Sequence, residues 1–412
     1  MSTNKAPNSI PLEKLSVIQP ALFSSNAHWP YFDRLRAEDP VHLNNLPGLG
    51  RHWSVTRYND IIKVDKNYKV FSSAGGVTIL PTYADLMLSS ESNKMFIASD
   101  PPRHEALRAT VKPLVEKNRM PALEPSIRKR ACRILDNLPI GETFDWVSTV
   151  ATEYTIEMLA ELFDIPFEDR HKLARWSDVA TALPGSGLIS SPQQRQAELG
   201  ECLSYFTSYR EQRSNGPPRR DFISMLAQSE ASRDMEPQEF LSNLMLLLVA
   251  GNDTARNSVS GSVLGLHLYP HEWEKLQDSH ALIPGLVNET IRWQTPLAYM
   301  CRTAVRDTEL GGKQIAPGDR VIMWYISGNR DEDVFSAGAD FLIDRTNAHQ
   351  HLSFGHGIHY CMGSHLAQLQ LRVLWEEILQ RFKRIEVVGT PRRTFSAFVQ
   401  GYTSLPVRLH AK

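Results

Sequence analysis

The sequence has few of the features that mark secreted or membrane-spanning proteins. Only four of its 412 residues are cysteine, and their spacing shows no pairing, which argues against a disulfide framework. The longest purely apolar run, Leu244 to Ala250, falls far short of the ~20 residues that span a bilayer. The first ten residues, MSTNKAPNSI, contain neither the apolar core of a signal peptide nor the arginines of a transit peptide. We therefore expect a soluble, cytoplasmic protein without a membrane anchor.

An excess of charge of either sign is also absent. Lys and Arg total 45 against 46 Asp and Glu, so no global field favours nucleic acid as a partner. Hydrophobic residues at 42% and charged residues at 22% are ordinary for a globular chain, which excludes intrinsic disorder. Internal repeats and low-complexity segments are missing as well.

Helical patterns fill most of the chain after residue 100. Pro237 opens the longest pattern, which meets no strong helix breaker before Pro270. A hairpin with a Gly-Gly turn is predicted over Glu309–Ile315, and a last helix over Ser364–Phe382. Short β-like pieces such as Arg51–Arg57 lie near the start of the chain. The expected fold class is mainly α with small β-sheets near both ends.

The most informative segment is His351–Gly363, HLSFGHGIHYCMG, which contains the pattern F-x-x-G-x-H-x-C-x-G directly before a predicted helix. Cys361 would lie at the helix N-terminus, where free backbone N–H groups and the positive dipole end favour thiolate. Because glycine has no Cβ, the backbone at these positions can approach a flat ligand closely, where any Cβ would clash. A thiolate in such a loop suits the proximal side of a haem iron, where it favours cleavage of bound O–O.

Two other interpretations of this segment compete with haem. A lone cysteine is commonly a small buried hydrophobe. Alternatively, zinc would use Cys361 with nearby histidines (His349, His351, His356 and His359). Zinc sites usually show C-x₂₋₄-C or H-x₃₋₅-H spacing and need a closed tetrahedron, and zinc leaves the glycine pattern unexplained. Haem is therefore favoured.

The loop resembles the haem-binding signature of the cytochrome P450 family. The resemblance implies that haem b is bound by Phe354, Gly355, His359, Cys361 and Gly363, with Cys361 as the iron ligand. It implies the cytochrome P450 fold, with haem between a long central helix and the helix that follows the cysteine loop. It extends over essentially the whole chain, so we expect residues 1–25 to form an N-terminal extension and residues 26–412 a single haem-thiolate monooxygenase domain.

The long helix carries an acid beside an alcohol in an otherwise apolar stretch. Ala250-Gly251-Asn252-Asp253-Thr254 resembles the family's A-G-x-D-T-T, with Ala255 in place of the second threonine. Thr254 is expected to bond the Ala250 carbonyl and so open the helix locally, which makes room for O₂ beside the haem. The resemblance assigns proton delivery to Asp253 and Thr254 and places Ala250 against the haem.

Further positions follow from the resemblance. Glu289 and Arg292 form an E-x-x-R pair, to which the family assigns a buried structural network with an arginine of the region before the cysteine loop; Asn329-Arg330-Asp331 and Phe341–Arg345 resemble that region. The haem propionates need cations or donors, and the resemblance points to His104, Arg108, Arg302 and His359.

No reductase domain follows the motifs, so electrons are expected from a [2Fe-2S] ferredoxin and its NAD(P)H-dependent reductase. The segment Arg103–Arg133 holds nine Lys and Arg against three Glu, and in the family this region can dock an acidic ferredoxin. A solvated helix face is nearly as good an interpretation of any single charge. A monomer is expected.

The substrate pocket is expected to be apolar, with no inward charge except Asp253. Family positions place it at 77–80, 95–97, 246–250, 297–300 and 398–399, chiefly at Val77, Ile79, Leu246, Val249, Leu297, Met300, Phe398 and Val399. The segments GGVTI (75–79), GNDTARNS (251–258) and FVQGYTSLPV (398–407) resemble the bacterial alkane and fatty-acid terminal-hydroxylase branch.

These features predict a monooxygenase that inserts one oxygen atom of O₂ into an unactivated C–H bond, in a medium-chain alkane, a fatty acid or a similar molecule. A terpene or aromatic hydroxylase of the same family is the main alternative. A haem-based sensor needs no proton relay, and a peroxide-using haem enzyme typically lacks the acid–alcohol pair, so the pair at 253–254 argues against both.

Overall fold

Helices make up most of the structure, a computed structural model that describes residues 7–46, 48–79 and 95–412. In these ranges the helices are α1 (Pro20–Ser24), α2 (Trp29–Glu38), α3 (Tyr58–Lys66), α4 (Arg103–Val111), α5 (Met120–Leu135), α6 (Glu153–Phe163), α7 (Arg170–Thr181), α8 (Pro192–Ser214), α9 (Phe222–Gln228), α10 (Pro237–Leu268), α11 (Pro270–Asp278), α12 (Ile283–Gln294), α13 (Tyr325–Gly328) and α14 (Ser364–Arg381). The predicted fold class is confirmed.

Strands lie near both ends of the chain, as expected. They are β1 (Val41–Leu46), β2 (Gly50–Val55), β3 (Phe71–Ser72), β4 (Thr143–Asp145), β5 (Met300–Ala304), β6 (Thr308–Leu310), β7 (Lys313–Ile315), β8 (Arg320–Met323), β9 (Phe382–Val387), β10 (Arg392–Arg393), β11 (Tyr402–Ser404) and β12 (Pro406–Ala411). The largest described sheet has the order β1-β2-β8-β5-β3, and a three-stranded sheet has the order β4-β12-β9. Only β2 and β8 pair in parallel within the five-stranded sheet.

The longest helix, α10, runs from Pro237 to Leu268 and is buried along most of its length. It ends before Pro270, which begins α11, because proline cannot continue the preceding helix. Close packing needs small residues on this helix: a Cβ on Gly265 would lie 2.8 Å from the Phe341 ring. The helix packs against α6, α7 and α12.

The predicted hairpin is β6 and β7, and its turn residues Gly311 and Gly312 have φ values of 57° and 74°. This left-handed conformation explains the two glycines, since residues with a Cβ rarely adopt it. The hairpin prediction is confirmed.

Residues 7–25 contain side chains that pack against the rest of the domain. Leu15, Val17 and Phe23 are buried in one apolar cluster with Ile322 of β8 and Trp324. The segment predicted as an extension thus contributes to the core beside the five-stranded sheet. Among the described residues, no helix is both long and apolar enough to span a bilayer.

Candidate active site

A cavity lies between the middle of α10 and the loop that precedes α14. All the residues that the sequence assigns to cofactor binding line its wall: His104, Arg108, Ala250, Arg302, Phe354, Gly355, His359, Cys361 and Gly363. They come from four separate parts of the chain. The fold therefore brings together the motifs that the sequence shows as isolated segments.

The cysteine loop follows a tight path that its glycines permit. Gly355 and Gly357 have φ values of 65° and 68°, and a Cβ on Gly357 would lie 2.7 Å from the Asp65 carbonyl oxygen. The Cys361 N–H donates to the Phe354 carbonyl at 2.8 Å, which closes the loop. Cys361 lines the cavity. Because α14 begins three residues later, the thiol lies just ahead of a helix N-terminus.

Two effects act on the Cys361 thiol in opposite directions. Burial, the larger effect, raises its pKa, whereas the Gly363 N–H and the Arg108 guanidinium lower it. The sequence-based expectation included only the second effect. A cation bound to the sulfur would stabilise the thiolate form of this buried group.

Cations and hydrogen-bond donors cluster on one part of the cavity wall. The rings of His104 and His359 lie 4.2 Å apart, and the Ser73 hydroxyl lies 2.9 Å from His359 Nε2. Neither ring nitrogen of His104 has a hydrogen-bond partner in the described part of the chain, although the side chain is buried. Burial is the main cause that lowers the pKa of His104 to about 4 and that of His359 to about 2, so both rings are neutral near pH 7.

Arg108 and Arg302 complete this cationic region. Arg108 donates to the Tyr360 carbonyl, and Arg302 donates to the Cys301 carbonyl at 2.9 Å and pairs with Asp65 at 2.8 Å. No Asp or Glu lies among the described residues of the cavity wall. An anionic group is thus the natural complement to this region, and the two propionates of a haem fit it.

Thr254 lines the cavity on the α10 side, together with Ala250 and Gly251. Its hydroxyl donates to the Ala250 carbonyl at 2.7 Å, the bond expected from the sequence. The expected local opening is not seen, because α10 stays helical throughout this turn. A Cβ at Gly251 would lie 2.7 Å from the Leu159 side chain, so this glycine permits close packing on α6.

Asp253 does not line the cavity, contrary to the expectation of an inward charge. Successive residues of a helix point about 100° apart, so Asp253 faces α7 when Thr254 faces the cavity. Its carboxylate is 1% exposed and accepts hydrogen bonds from Ser177 at 3.1 Å and Thr181 at 3.3 Å. Arg256 donates to it at 3.0 Å.

The residues around Asp253 were missed by the sequence analysis. Arg256 also pairs with Asp178 of α7 at 2.9 Å. The i, i+3 spacing of Asp253 and Arg256 was a signal for their pairing, but nothing in the sequence pointed to Asp178. Burial raises the pKa of Asp253, against the opposing charge of Arg256.

The apolar wall agrees with only part of the predicted substrate pocket. Leu246, Leu297 and Met300 line the cavity, and so do Phe96 and Ile97 of the expected 95–97 segment. The other predicted side chains lie off the described wall: Val77, Ile79, Val249, Phe398 and Val399. The expected position 80 lies outside the described residues.

Two contacts show why Phe398 and Val77 do not line the cavity. Phe398 packs on Tyr299, with ring centroids 5.3 Å apart, in a cluster behind the wall. The backbone of Val77 accepts a hydrogen bond from the Cys301 N–H at 2.8 Å. The Phe398 and Val77 carbonyls accept hydrogen bonds from the backbone of Ala298 and Cys301, so both residues form a second layer beside the segment that carries the wall residue Met300.

Glu289 and Arg292 lie at 0% exposure and are joined by a 2.7 Å ion pair. Arg345 contacts Glu289 at 3.2 Å, and Arg292 also donates to the carbonyls of Asn329, Gly338 and Asp340. The pair is outside the cavity wall and ties α12 to the segment before the cysteine loop. Nothing in this position suggests a chemical role.

The zinc alternative finds no support in the geometry. Over residues 7–46, 48–79 and 95–412, no group of three or more His, Cys, Asp or Glu side chains is arranged to hold a metal ion.

The basic segment Arg103–Arg133 is less free than its composition indicates. Arg128 pairs with Glu124, Glu376 and Glu377, at 2.8, 2.5 and 2.7 Å. Arg130 and Arg133 pair with Glu161 and Glu157 of α6. Arg128 is therefore not a free charge that a partner could use. Lys117 and Lys129 are exposed and form no ion pair with the described residues.

Comparison with known proteins identifies the family. A family model described as Cytochrome P450 matches residues 103–401, well over half of the chain. The chain belongs to the cytochrome P450 family. Linalool 8-monooxygenase of Pseudomonas putida is 35% identical over 97% of this chain and 100% of its own length. The methyl-branched lipid omega-hydroxylase of Mycobacterium tuberculosis is 31% identical over 91% of this chain and 90% of its own.

Solved structures agree with this assignment. Cytochrome P450-153 from Novosphingobium aromaticivorans superposes with a TM-score of 0.86 at 41% identity, covering 96% of this chain and 99% of that one. As a member of the family the protein is a haem-dependent monooxygenase that uses O₂. The cavity fits that cofactor, because it combines an accessible thiol, neutral and cationic donors without a carboxylate, and glycines that leave room for a flat group.

Proposed function

We propose that this cytochrome P450 hydroxylates an unactivated C–H bond of a hydrophobic chain-like substrate, such as a medium-chain alkane or fatty acid. The observation that carries the proposal is the apolar cavity wall facing Thr254. Phe96, Ile97, Leu246, Leu297 and Met300 are among the apolar residues of this wall. Such a wall binds a hydrocarbon because both bury apolar surface on contact.

Haem b is the proposed form of the cofactor, with Cys361 holding the iron and His104, Arg108, Arg302 and His359 binding the propionates. When bound, the haem supplies O₂ activation and oxygen transfer. The chain supplies the remaining functions. The wall orients the substrate and excludes water, and the cationic region fixes the plane of the cofactor.

Proton management is the proposed role of Thr254 and Asp253. The Thr254 hydroxyl lies on the cavity wall and donates a hydrogen bond to the Ala250 carbonyl. Asp253 lies on the adjoining face, where burial raises its pKa, and is proposed as the acid that supplies the proton. The carboxyl reaches Thr254 only after it leaves Arg256 and Ser177, so proton delivery depends on the contact between α10 and α7.

Electrons are proposed to come from a [2Fe-2S] ferredoxin and its NAD(P)H-dependent reductase, and the protein is proposed to act as a monomer. Lys117 and Lys129 are exposed and have no ion-pair partner among the described residues, which supports a docking role for the segment 103–133. The cytoplasmic location stays a sequence-based prediction.

A terpene substrate is the second candidate. It is favoured by the similarity to linalool 8-monooxygenase, whereas the lipid omega-hydroxylase favours a chain. The apolar wall accepts either class, because its apolar residues Phe96, Ile97, Leu246, Leu297 and Met300 form no hydrogen bond that would distinguish an acyclic terpene from an alkane.

Spectral titration followed by product analysis tests the proposal. The ferric protein is titrated with octane, dodecane, dodecanoic acid, linalool and a monocyclic aromatic compound, while the Soret band is followed. We expect the alkanes or fatty acid to give the largest spin-state shift and a hydroxylated product with ferredoxin, reductase and NADH. Tighter binding and faster turnover of linalool would instead assign the terpene function, and a failure of all five to bind would overturn the hydrophobic-substrate proposal.

A further inference from the structure

An acid behind the cavity wall joins the cationic region to the cysteine loop. Asp65 lies in the last turn of α3 and is 2% exposed. It shares the buried face of this helix with Ile61 and Val64, where an ionised side chain is costly unless it is fully paired.

The Asp65 carboxylate accepts hydrogen bonds from three separate segments. Oδ1 accepts from Arg302 Nη2 of β5 at 2.8 Å. Oδ2 accepts from the Tyr325 hydroxyl of α13 at 2.8 Å and from the His356 N–H of the cysteine loop at 2.7 Å. One carboxylate thus fixes two wall residues and the backbone that leads to Cys361.

The loop glycines make this arrangement possible. A Cβ at Gly355 would lie 3.2 Å from Asp65 Oδ2, and one at Gly357 would lie 2.7 Å from the Asp65 carbonyl oxygen. Both glycines also have positive φ values. The close approach of the loop to α3 is therefore built into the backbone of both elements.

Arg302 is held on two sides. Nη1 donates to the Cys301 carbonyl at 2.9 Å, while Nη2 pairs with Asp65. Arg302 and Tyr325 line the cavity, but Asp65 does not, so it can act on a bound group only through these neighbours.

We infer that Asp65 is a positioning residue that fixes Arg302 relative to the Cys361 loop and thereby determines how tightly the haem is retained. The inference rests on the propionate-binding role proposed above for Arg302. Removal of the negative charge leaves Arg302 buried without its counter-ion and frees it to turn away from the cavity. The same change weakens the anchor of the loop at His356.

The test measures haem transfer from the holoprotein to excess apomyoglobin. We expect Asp65→Asn to transfer haem about tenfold faster than the unaltered protein, the lower end of the usual effect of such supporting partners. Tyr325→Phe keeps both charges of the ion pair and removes one hydrogen-bond donor to the Asp65 carboxylate, so we expect a smaller increase of about two- to threefold.

Asp331→Asn is the matched control. Asp331 is also 2% exposed and accepts from the Tyr58 N–H at the other end of α3, but it does not touch the cavity wall. Its variant should lose thermal stability comparably while haem transfer stays within about twofold. Equal acceleration in Asp331→Asn and Asp65→Asn would show that only the general stability of α3 matters, and would overturn the inference.

A double-variant comparison separates this inference from the proposed function. If Asp65 acts through Arg302, Asp65→Asn should add little to haem loss in an Arg302→Gln background. Unchanged haem transfer in Arg302→Gln alone contradicts the proposed propionate role. Faster transfer in Arg302→Gln, with no effect of Asp65→Asn or Tyr325→Phe, contradicts only the positioning role of Asp65.

Discussion

At the scale of single residues, the chemistry depends on which way a side chain points. Cys361 and Thr254 face the same cavity, whereas Cys132, Cys202 and Cys301 lie away from its described wall. A thiol is useful as an iron ligand only where the cofactor can reach it. The cavity thus singles out one of four cysteines.

We predict that Cys361→His abolishes the ferrous–CO absorption band of a thiolate-ligated haem, because the imidazole replaces the only thiol on the described cavity wall. Absorption spectra of the reduced CO complex provide the measurement. Cys132→Ser is the control and should keep the band. A persistent thiolate band in Cys361→His would assign the iron ligand to another residue.

Thr254→Ala is predicted to uncouple oxygen consumption from hydroxylation, because it removes the hydroxyl that holds a proton at the cavity wall. NADH oxidation should continue, while product per NADH falls about tenfold and hydrogen peroxide appears. Thr254→Ser keeps the hydroxyl and should stay coupled. Wild-type coupling in Thr254→Ala would contradict the proton-relay proposal.

Asp253→Asn is predicted to slow the whole cycle, on the order of 10²-fold, because an amide cannot deliver a proton as a carboxyl group does. The amide keeps hydrogen bonds to Ser177 and Thr181, so the haem content should not change. NADH oxidation rates measure the effect. A normal rate with poor coupling would assign Asp253 the same role as Thr254.

At the scale of elements, ion pairs decide which charges are available to a partner. Helix α5 is joined to α14 by Arg128, whose three carboxylate partners include Glu376 and Glu377. Charge reversal at Arg128 would place like charges together and disturb the contact of the two helices. Lys129, the next residue, is exposed and does not take part in this network.

Lys129→Glu is therefore predicted to raise the apparent KM for ferredoxin several-fold at low salt, with the effect fading as salt screens the charge. Steady-state kinetics at two ionic strengths measure it. Lys14→Glu reverses a similarly exposed charge in the segment beside the five-stranded sheet and should leave the KM unchanged. Identical kinetics in both variants would place the docking surface elsewhere.

At the scale of the whole molecule, buried histidines link folding to pH. Burial is the main cause that lowers the pKa of His28 and of His351 from 6.5 to about 3. In the unfolded chain both rings bind protons below pH 6.5, whereas in the folded protein they stay neutral. The free energy of unfolding therefore decreases as the pH falls from 6.5 toward 3.

We predict that each of these rings lowers the free energy of unfolding by about 1.2 kcal/mol between pH 7 and pH 5.5. His28→Phe should remove its share of this loss, because phenylalanine keeps the stack on Phe23 but cannot take up a proton. Urea unfolding at both pH values measures the difference. An unchanged pH dependence in His28→Phe would show that His28 does not stay neutral in the fold.

The sequence by itself determined the features that depend on neighbouring residues. The bounds of α10 follow from Pro237 and Pro270, and the β6–β7 turn follows from two adjacent glycines. The cysteine loop carries its own glycines and the start of α14, so its chemistry was predictable from thirteen consecutive residues, 351–363. Backbone sterics and local hydrogen bonds act within a few residues, which is why such patterns are legible in a sequence.

Only the tertiary structure decided which distant side chains meet. Asp65 and Arg302 are 237 residues apart, and no local pattern pairs them. The direction of Asp253, the carboxylates around Arg128 and the second layer at Phe398 depend equally on how helices pack across the core. Packing selects among many possible partners for each charge, because an ion pair needs contact in space and not proximity in the chain.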